Sequence, residues 1–209
     1  MVITRICCTF VVLALVLAVT PAAADPQDRE RWDARFAKTE YVMGKEPIPF
    51  LVAHVDLLPK GKALDLAMGE GRNGVFLAGQ GFQVYGLDIS PKGLEKAQKL
   101  ASEKHVSIET KAVDLEQYQL ERDVYEVVLC TYYLQRDLVP QIKAALKSGG
   151  MAVIETYNLD YLKYNPRFRR EWALEKNELL DWFKDFKILR YQEIDNGKEA
   201  YSSIIAQKP

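Results

Sequence analysis

The most constraining feature of this 209-residue chain is the stretch from residue 63 to residue 76, whose sequence is ALDLAMGEGRNGVF. It begins as a short apolar strand carrying one acid, Asp65, and continues into a glycine turn at Gly69-Glu70-Gly71 and a helix start. A glycine turn between a strand and a helix brings backbone N–H groups close to a ligand, at the positive end of the helix dipole. The stretch therefore predicts a nucleotide-type site.

Two ligand classes compete for this turn. Gly69, Gly71 and Gly74 also match the dinucleotide pattern G-x-G-x-x-G, but a dinucleotide-binding strand is normally a continuous apolar run. The carboxylate of Asp65 in such a strand costs several kcal/mol unless a cation or a hydrogen-bond donor meets it. S-adenosylmethionine brings an ammonium, a sulfonium and ribose hydroxyls without phosphate, so Asp65 favours this ligand. The alternative is that Asp65 only caps the turn.

The overall composition is that of one compact globular domain. Hydrophobic residues make up 48% of the chain and charged residues 27%. The formal net charge of −1 gives no electrostatic footprint for nucleic acid, so we expect no nucleic-acid partner.

The first 24 residues have the layout of a secretory signal peptide. A basic residue, Arg5, precedes an apolar run over residues 6–19, and the small residues Ala22-Ala23-Ala24 form a cleavage site. The run is shorter than the roughly 20 residues of a transmembrane helix, so no stable transmembrane span is expected. We therefore expect an exported protein, periplasmic or secreted. The alternatives are an uncleaved membrane anchor, or a cytoplasmic protein if the start is misassigned.

Cysteine usage agrees with a domain that has no internal disulfide. Cys7 and Cys8 lie within the predicted signal peptide, so only Cys130 remains after cleavage. Cys130 lies in an apolar strand pattern, which favours a small buried hydrophobic residue over a reactive thiol.

Strand patterns alternate with amphipathic patterns along the rest of the chain. The predicted helices cover residues 28–38, 47–58, 72–80, 91–104, 137–147 and 177–184. The predicted strands cover residues 62–67, 82–88, 106–113, 124–130, 151–156, 186–193 and 199–206. The order predicts an α/β fold with a mostly parallel sheet and helices on both faces. Asn196-Gly197 is a strong hairpin signal, so the closing hairpin adds one antiparallel strand.

Candidate ligand contacts follow successive strands at the edge where ligands bind open α/β sheets. Asp88 ends the second strand, where a carboxylate can accept both ribose hydroxyls. Asp114 and Leu115 follow the third, where they suit an adenine ring. Cys130 ends the fourth strand and Tyr132 follows it, where both are expected to lie beside the sulfonium of the ligand. Each acid alone could cap a helix or a loop, and Asp88 by itself also suits NAD.

These motifs resemble those of class I S-adenosylmethionine-dependent methyltransferases, in the subgroup related to tellurite-resistance methyltransferases. The matching segments, which lie between Arg31 and the C-terminus, are LDLA with GEGRN at residues 64–73, GLDISP at 86–91, VDL at 113–115, YLQR at 133–136 and LKSGG at 146–150. The chain departs from the pattern at Ala67-Met68, where many relatives have Gly or Ala and then Cys, and in its exported-looking N-terminus.

The resemblance implies a Rossmann-like sheet of seven strands with an antiparallel C-terminal strand, and S-adenosyl-L-methionine as cofactor. It divides the chain into residues 1–24, an N-terminal helical lid at 25–60 that includes Tyr41 and Pro49, and the methyltransferase domain at 61–209. The cofactor contacts expected from the motifs are Asp65, Ala67, Gly69, Gly71, Asn73, Asp88, Ile89, Asp114, Leu115 and Cys130.

Methyl transfer from a sulfonium needs alignment and exclusion of water more than a dedicated base. The sequence contains no Ser-His-Asp or Cys-His grouping and no metal-ligand spacing, and His54 and His105 lie away from the strand ends, so no catalytic residue is assigned. The expected acceptor pocket comprises Trp32, Tyr132, Tyr133, Arg136 and Tyr157, with the aromatic and arginine-rich segment 161–172. Alternatively, these aromatics are core and the arginines a solvated face.

The resemblance implies a small-molecule partner as methyl acceptor. It favours a soft nucleophile, such as a thiol or a chalcogen oxyanion. Two other functions stay open. One is an NAD-linked oxidoreductase, based on the three glycines. The other is an exported, non-catalytic ligand-binding protein, because the cofactor is made in the cytosol.

Overall fold

A single sheet organises the computed structural model, which describes residues 26–209. Its strands within that range are β1 (Lys62–Leu66), β2 (Gln83–Asp88), β3 (Glu109–Ala112), β4 (Tyr125–Thr131), β5 (Leu146–Tyr157), β6 (Lys187–Asp195) and β7 (Ala200–Gln207). The predicted signal peptide at residues 1–24 lies outside the described residues.

The strand order is β3-β2-β1-β4-β5-β7-β6. Each pair from β3 to β5 is parallel, whereas β7 runs antiparallel to both β5 and β6. The β6–β7 hairpin turns at the predicted Asn196-Gly197, where the N–H of Asn196 donates to the carbonyl of Glu199 at 3.1 Å. The predicted fold class is confirmed. The strand order reverses between β1 and β4, which is where open α/β sheets bind ligands.

Helices cover both faces of the sheet. They are α1 (Pro26–Phe36), α2 (Pro49–His54), α3 (Arg72–Gly79), α4 (Pro91–Glu103), α5 (Val139–Ala145) and α6 (Glu178–Trp182). Leu51, Leu77 and Leu100 from α2, α3 and α4 share one core cluster, whereas Ile142 and Leu179 from α5 and α6 share the other. No helix among the described residues has both the length and the hydrophobicity of a membrane span.

The predicted boundaries are wrong around residues 137–150. A helix was expected over residues 137–147, but α5 starts at Val139, because Pro140 lacks an N–H and suits only the first turn of a helix. Residues 148–150 belong to β5 instead of a closing turn. Leu146 pairs with Tyr125 of β4 and is fully buried, and a register shift separates this pair from the remaining pairs of the two strands.

Three other elements are shorter than predicted. β3 covers Glu109–Ala112 within the expected residues 106–113, and α6 covers five residues of the expected 177–184. The helix expected over residues 47–58 is α2, which starts only at Pro49, followed by a 3-10 turn at Val55–Leu57. After α6 the N–H of Phe186 donates to the carbonyl of Phe183 at 2.8 Å, and this tight turn leads into β6.

Candidate active site

A cavity with about 920 Å³ of empty space, partly open to solvent, lies at the carboxyl ends of β1, β2 and β4. The turn after β1 and the ends of the neighbouring strands form its floor, and α1 and the loop before α2 lie over it. The lining residues are Asp28, Trp32, Phe36, Met43, Gly44, Ala67, Met68, Gly69, Glu70, Arg72, Asn73, Asp88, Ile89, Asp114, Leu115, Glu116, Thr131, Tyr132 and Tyr133.

Most of the predicted cofactor contacts line this cavity. They are Ala67, Gly69, Asn73, Asp88, Ile89, Asp114 and Leu115. The structure therefore brings together residues from the ends of three successive strands, as the sequence pattern predicted. Asp65, Gly71 and Cys130 do not line the cavity, and each has a different structural reason.

Asp88 presents a fixed carboxylate at the cavity. One carboxylate oxygen accepts the N–H of Gly69 at 2.8 Å and the other accepts the N–H of Ser90 at 2.8 Å. Burial raises the pKa of Asp88, and these two backbone donors oppose that rise. Each carboxylate oxygen has further lone pairs, so Asp88 can still accept from a ligand that carries two hydroxyls.

Asp65 lies behind the glycine turn and is 2% exposed. Its Oδ2 has no hydrogen-bond partner among the described residues, and a Cβ added at Gly74 would lie 2.9 Å from that oxygen. Burial raises the pKa of Asp65 to about 8, the N–H of Gly74 opposes this, and the negative charge of Asp88 adds to it. Asp65 is therefore buried between the glycine turn and Gly74 of α3, and its role as a ligand contact stays a prediction.

Gly71 and Cys130 also face the protein interior. Gly71 has a φ of +86°, and a Cβ there would lie 2.6 Å from the Cβ of Ala97, so glycine lets α3 approach α4. Cys130 is 3% exposed, and burial raises the pKa of its thiol to about 12. The interpretation of Cys130 as a small buried residue is confirmed.

The predicted acceptor residues divide into two groups. Trp32, Tyr132 and Tyr133 line the cavity. Arg136 and Tyr157 do not, which differs from the prediction. The guanidinium of Arg136 donates to both carboxylate oxygens of Glu178, at 2.7 and 3.0 Å, so this arginine is engaged in holding α6.

The aromatic segment at residues 161–172 forms a cluster of its own. Tyr157 stacks on Tyr161 with ring centroids 3.8 Å apart, and Phe168 packs edge-on against both rings. Arg169 and Arg170 form exposed ion pairs with Glu171 and Glu175, at 2.5 and 2.9 Å. None of these residues lines the cavity, and Tyr164 and Trp172 are exposed, so the structure places this segment outside the expected acceptor pocket.

The N-terminal helix α1 covers the cavity and is fastened to α4. The carboxylate of Asp33 accepts the hydroxyl of Ser90 and the N–H of Lys92, the latter at 3.1 Å. Trp32 stacks on Phe36 at 5.3 Å, and a Cβ at Gly69 would lie 3.3 Å from the ring of Phe36. This helix therefore places the ring of Phe36 against the glycine turn, with Trp32 stacked on that ring.

The electrostatics of the cavity wall are mainly acidic. Asp28, Asp88, Asp114 and Glu116 all line it, and burial, Asp114 and Asp28, in that order, raise the pKa of Glu116. Arg72 is the cation among the described lining residues. A wall of this charge attracts a cationic ligand and repels a pyrophosphate.

Sequence reasoning missed several lining residues. Met43 and Gly44 come from the loop before α2, and no local pattern marks that loop as part of a site. Glu70 and Arg72 are part of the glycine motif, but their side chains bind the same loop through Met43. His54 and His105 do not line the cavity, and the described residues contain no group of ligands that could hold a metal ion.

A family model described as "Tellurite resistance protein TehB" matches residues 36–200. The chain belongs to this family. The match spans the loop before α2, the glycine turn and every strand up to the start of β7, so the resemblance found in the sequence motifs is confirmed.

Curated relatives of this TehB family member are distant. A ubiquinone biosynthesis O-methyltransferase of Burkholderia orbicola (strain MC0-3) is 29% identical over 157 residues, covering 68% of this chain and 67% of the relative. A probable S-adenosyl-L-methionine-dependent methyltransferase TehB of Haemophilus influenzae (strain Rd) is 25% identical over 140 residues, covering 63% of this chain and 48% of the relative. Hemagglutinin 1 of Eikenella corrodens is 27% identical over 139 residues, covering 63% of this chain and 46% of the relative. The chain thus spans about half the length of several curated relatives it matches.

Solved structures show the same fold. The crystal structure of TehB from Haemophilus influenzae superposes with a TM-score of 0.66 at 19% identity, covering 87% of this chain and 67% of that chain. A magnesium protoporphyrin IX methyltransferase from Synechocystis with bound S-adenosylhomocysteine gives a TM-score of 0.59 at 20% identity, covering 87% and 84%. The TehB family member therefore shares the methyltransferase fold.

Proposed function

We propose that this protein is an S-adenosylmethionine-dependent methyltransferase that acts on a small molecule. The observation that carries the proposal is the carboxylate of Asp88, held by the N–H groups of Gly69 and Ser90 at the rim of a cavity beyond β1, β2 and β4. A carboxylate so placed accepts the two hydroxyls of a ribose. The names of the curated methyltransferase relatives support the same activity.

The acidic cavity wall favours this cofactor over NAD. Asp28, Asp114 and Glu116 line the cavity together with Asp88, and a dinucleotide would bring two phosphate charges into this acidic cavity. S-adenosylmethionine when bound supplies an electrophilic methyl group on a sulfonium, and its net charge carries no such penalty.

The chain's own contribution to methyl transfer is alignment and exclusion of water. Phe36 on α1 packs against the glycine turn and Trp32 stacks on Phe36, while Tyr132 and Tyr133 line the wall that follows β4. Aromatic faces attract a sulfonium through their quadrupoles and keep water out of the reaction path. Because an in-line displacement needs no base when the nucleophile is already deprotonated, no residue is assigned to proton transfer.

The acceptor that suits this pocket is a soft nucleophile such as a thiol or a chalcogen oxyanion. Apolar groups on the cavity wall include Met43, Met68 and the aromatic rings, which accommodate a polarizable atom, and Arg72 supplies one positive charge for an anion. The family description, tellurite resistance, supports the same acceptor class.

Isothermal titration of the full chain with S-adenosylhomocysteine and, separately, with NAD tests the cofactor. We expect micromolar binding of S-adenosylhomocysteine and none of NAD. Binding of NAD alone would support the oxidoreductase alternative instead. Cofactor binding without turnover of any thiol or chalcogen oxyanion would support the non-catalytic alternative.

Export remains part of the proposal and rests on the signal-like residues 1–24. Cell fractionation followed by N-terminal sequencing tests it, with Asp25 as the expected first residue of an exported protein. Intact Met1 in the soluble cytosolic fraction would contradict export.

A further inference from the structure

The loop before α2 forms one wall of the cavity, and side chains of the glycine motif hold it in place. We define the wall segment as residues 38–48, of which Met43 and Gly44 line the cavity. The segment has no helix or strand of its own, so its position depends on contacts with the rest of the protein.

Both backbone polar groups of Met43 are bound by residues of the glycine motif. Its N–H donates to Oε2 of Glu70 at 3.1 Å, and its carbonyl accepts from the guanidinium of Arg72 at 2.9 Å. The N–H of Ile48 donates to Oδ1 of Asn73 at 2.9 Å. Glu70, Arg72 and Asn73 thus bind the wall segment through its backbone.

Lys96 on α4 completes the attachment. Its ammonium donates to the carbonyls of Lys38 and Glu40, at 2.8 and 2.6 Å, and forms an ion pair with Glu70 at 2.6 Å. The hydroxyl of Tyr41 donates to the carbonyl of Lys96 at 3.1 Å. The segment is therefore held at both of its ends and in the middle.

Glu70 connects these contacts to the cofactor side of the cavity. Its side chain is 1% exposed, and each carboxylate oxygen has a partner, as a buried carboxylate requires. It lies between Gly69, whose N–H binds Asp88, and Gly71, which packs against α4. A displacement of the wall segment would therefore strain the turn that positions Asp88.

We propose that Glu70, Arg72 and Asn73 are positioning residues that couple the wall segment to the glycine turn, so that the two sides of the cavity form together. The glycine motif then has two functions. Its backbone shapes the cofactor site, and its polar side chains build the opposite wall. The coupling to ligand binding rests on the proposed function.

Hydrogen–deuterium exchange of the full chain, with and without S-adenosylhomocysteine, tests this coupling. Glu70→Gln removes the charge that holds Lys96 and weakens the acceptor for Met43. Glu95→Gln is the matched control. It removes an exposed ion pair, Lys92–Glu95, from α4, the helix that also carries Lys96. In wild type and control, we expect the ligand to slow exchange in residues 38–48.

In Glu70→Gln, we expect faster exchange of residues 38–48 without ligand. We also expect an affinity for S-adenosylhomocysteine up to about tenfold lower, because ligand binding must then also order a wall segment that has lost one charged hydrogen bond. A purely structural role would lower the melting temperature while leaving the ligand-induced protection of residues 38–48 as in the wild type. That result, or ligand binding by the wild type without protection of this segment, would overturn the proposal.

The ligand-free exchange separates the two proposals. If the wild type binds no S-adenosylhomocysteine, the proposed function fails and the coupling to ligand fails with it. The attachment itself is still decided by faster ligand-free exchange in Glu70→Gln than in Glu95→Gln. Should Glu70→Gln not fold, Tyr41→Phe removes one hydrogen bond from the same segment, and unchanged exchange there would contradict the attachment.

Discussion

The phenolic hydroxyl of Tyr132 donates a hydrogen bond of 3.0 Å to the carboxylate of Glu155, which is 1% exposed on β5. The other carboxylate oxygen accepts the hydroxyl of Ser203 on β7 at 2.7 Å. Tyr132 itself has a φ of +55°, a left-handed conformation that is costly for a bulky residue. The buried carboxylate thus fixes a strained aromatic residue at the edge of the cavity.

Replacing Tyr132 by Phe should lower the free energy of unfolding by about 1–3 kcal/mol, because one oxygen of the buried Glu155 loses its donor. Tyr164→Phe is the control, since that hydroxyl binds the exposed Asp195 and its loss should change stability by less than about 0.5 kcal/mol. Urea unfolding measures both. Equal losses in the free energy of unfolding would show that the buried hydrogen bond stabilises the protein no more than the exposed one.

Asp65 should make the protein less stable as the pH rises. Its pKa is about 8 in the folded protein and near its ordinary value when unfolded, so the folded state holds the extra proton between these values. Stability is then lost progressively as the pH increases toward about 8, at up to about 1.4 kcal/mol per pH unit. We expect Asp65→Asn to flatten the dependence between pH 6 and pH 8 in urea titrations. An unchanged slope would contradict the assignment.

Asp88→Asn should weaken binding of S-adenosylhomocysteine by about 10- to 100-fold, because an amide presents one acceptor oxygen where the carboxylate presents two. The amide nitrogen cannot accept, so the N–H of either Gly69 or Ser90 loses its partner, and we expect the free energy of unfolding to fall by about 1–3 kcal/mol. Titration calorimetry measures the affinity, with Glu95→Gln as the surface control. Wild-type affinity in Asp88→Asn would remove Asp88 from the site.

Gly86→Ala should destabilise the protein by about 1–3 kcal/mol through overpacking. A Cβ at Gly86 would lie 1.8 Å from the sulfur of Met68, a residue of the cavity wall. Gly79 on α3 is the matched control, since a Cβ there meets nothing within 4 Å and alanine should stabilise the helix by up to about 1 kcal/mol.

The clash has a direct check of its own. Met68→Ala shortens the side chain that the new methyl group would meet. The double variant Gly86→Ala with Met68→Ala should therefore lose less stability in thermal unfolding than the sum of the losses in the two single variants. Additive losses would show that Met68 and the new methyl group do not compete for space.

Much of the fold could be predicted from local patterns. The apolar runs of β1, β2 and β4, the glycine turn and the Asn196-Gly197 hairpin each lie within a few consecutive residues. One error lies where a distant contact decides the structure. β5 starts at Leu146 because this residue pairs with Tyr125, a partner that no local pattern reveals.

The candidate site was also predictable only in part. Asp88 and Asp114 follow strand patterns, and parallel strands bring their carboxyl ends to one edge, so both line the cavity. Arg136 and Tyr157 have the right chemistry in the right part of the chain. Their side chains nevertheless bind Glu178 and stack on Tyr161, and local sequence carries no information about such competing partners.

The sequence by itself determined the succession of strands and helices along the chain, the glycine turn and the acids that end successive strands. These features depend on backbone conformation and hydrophobic periodicity over short stretches of sequence. Only the tertiary structure decided that Asp65 is buried behind the turn and that Glu70 binds the backbone of Met43. Those outcomes depend on packing and hydrogen bonds between residues far apart in the chain, which exist only once the sheet and its helices have assembled.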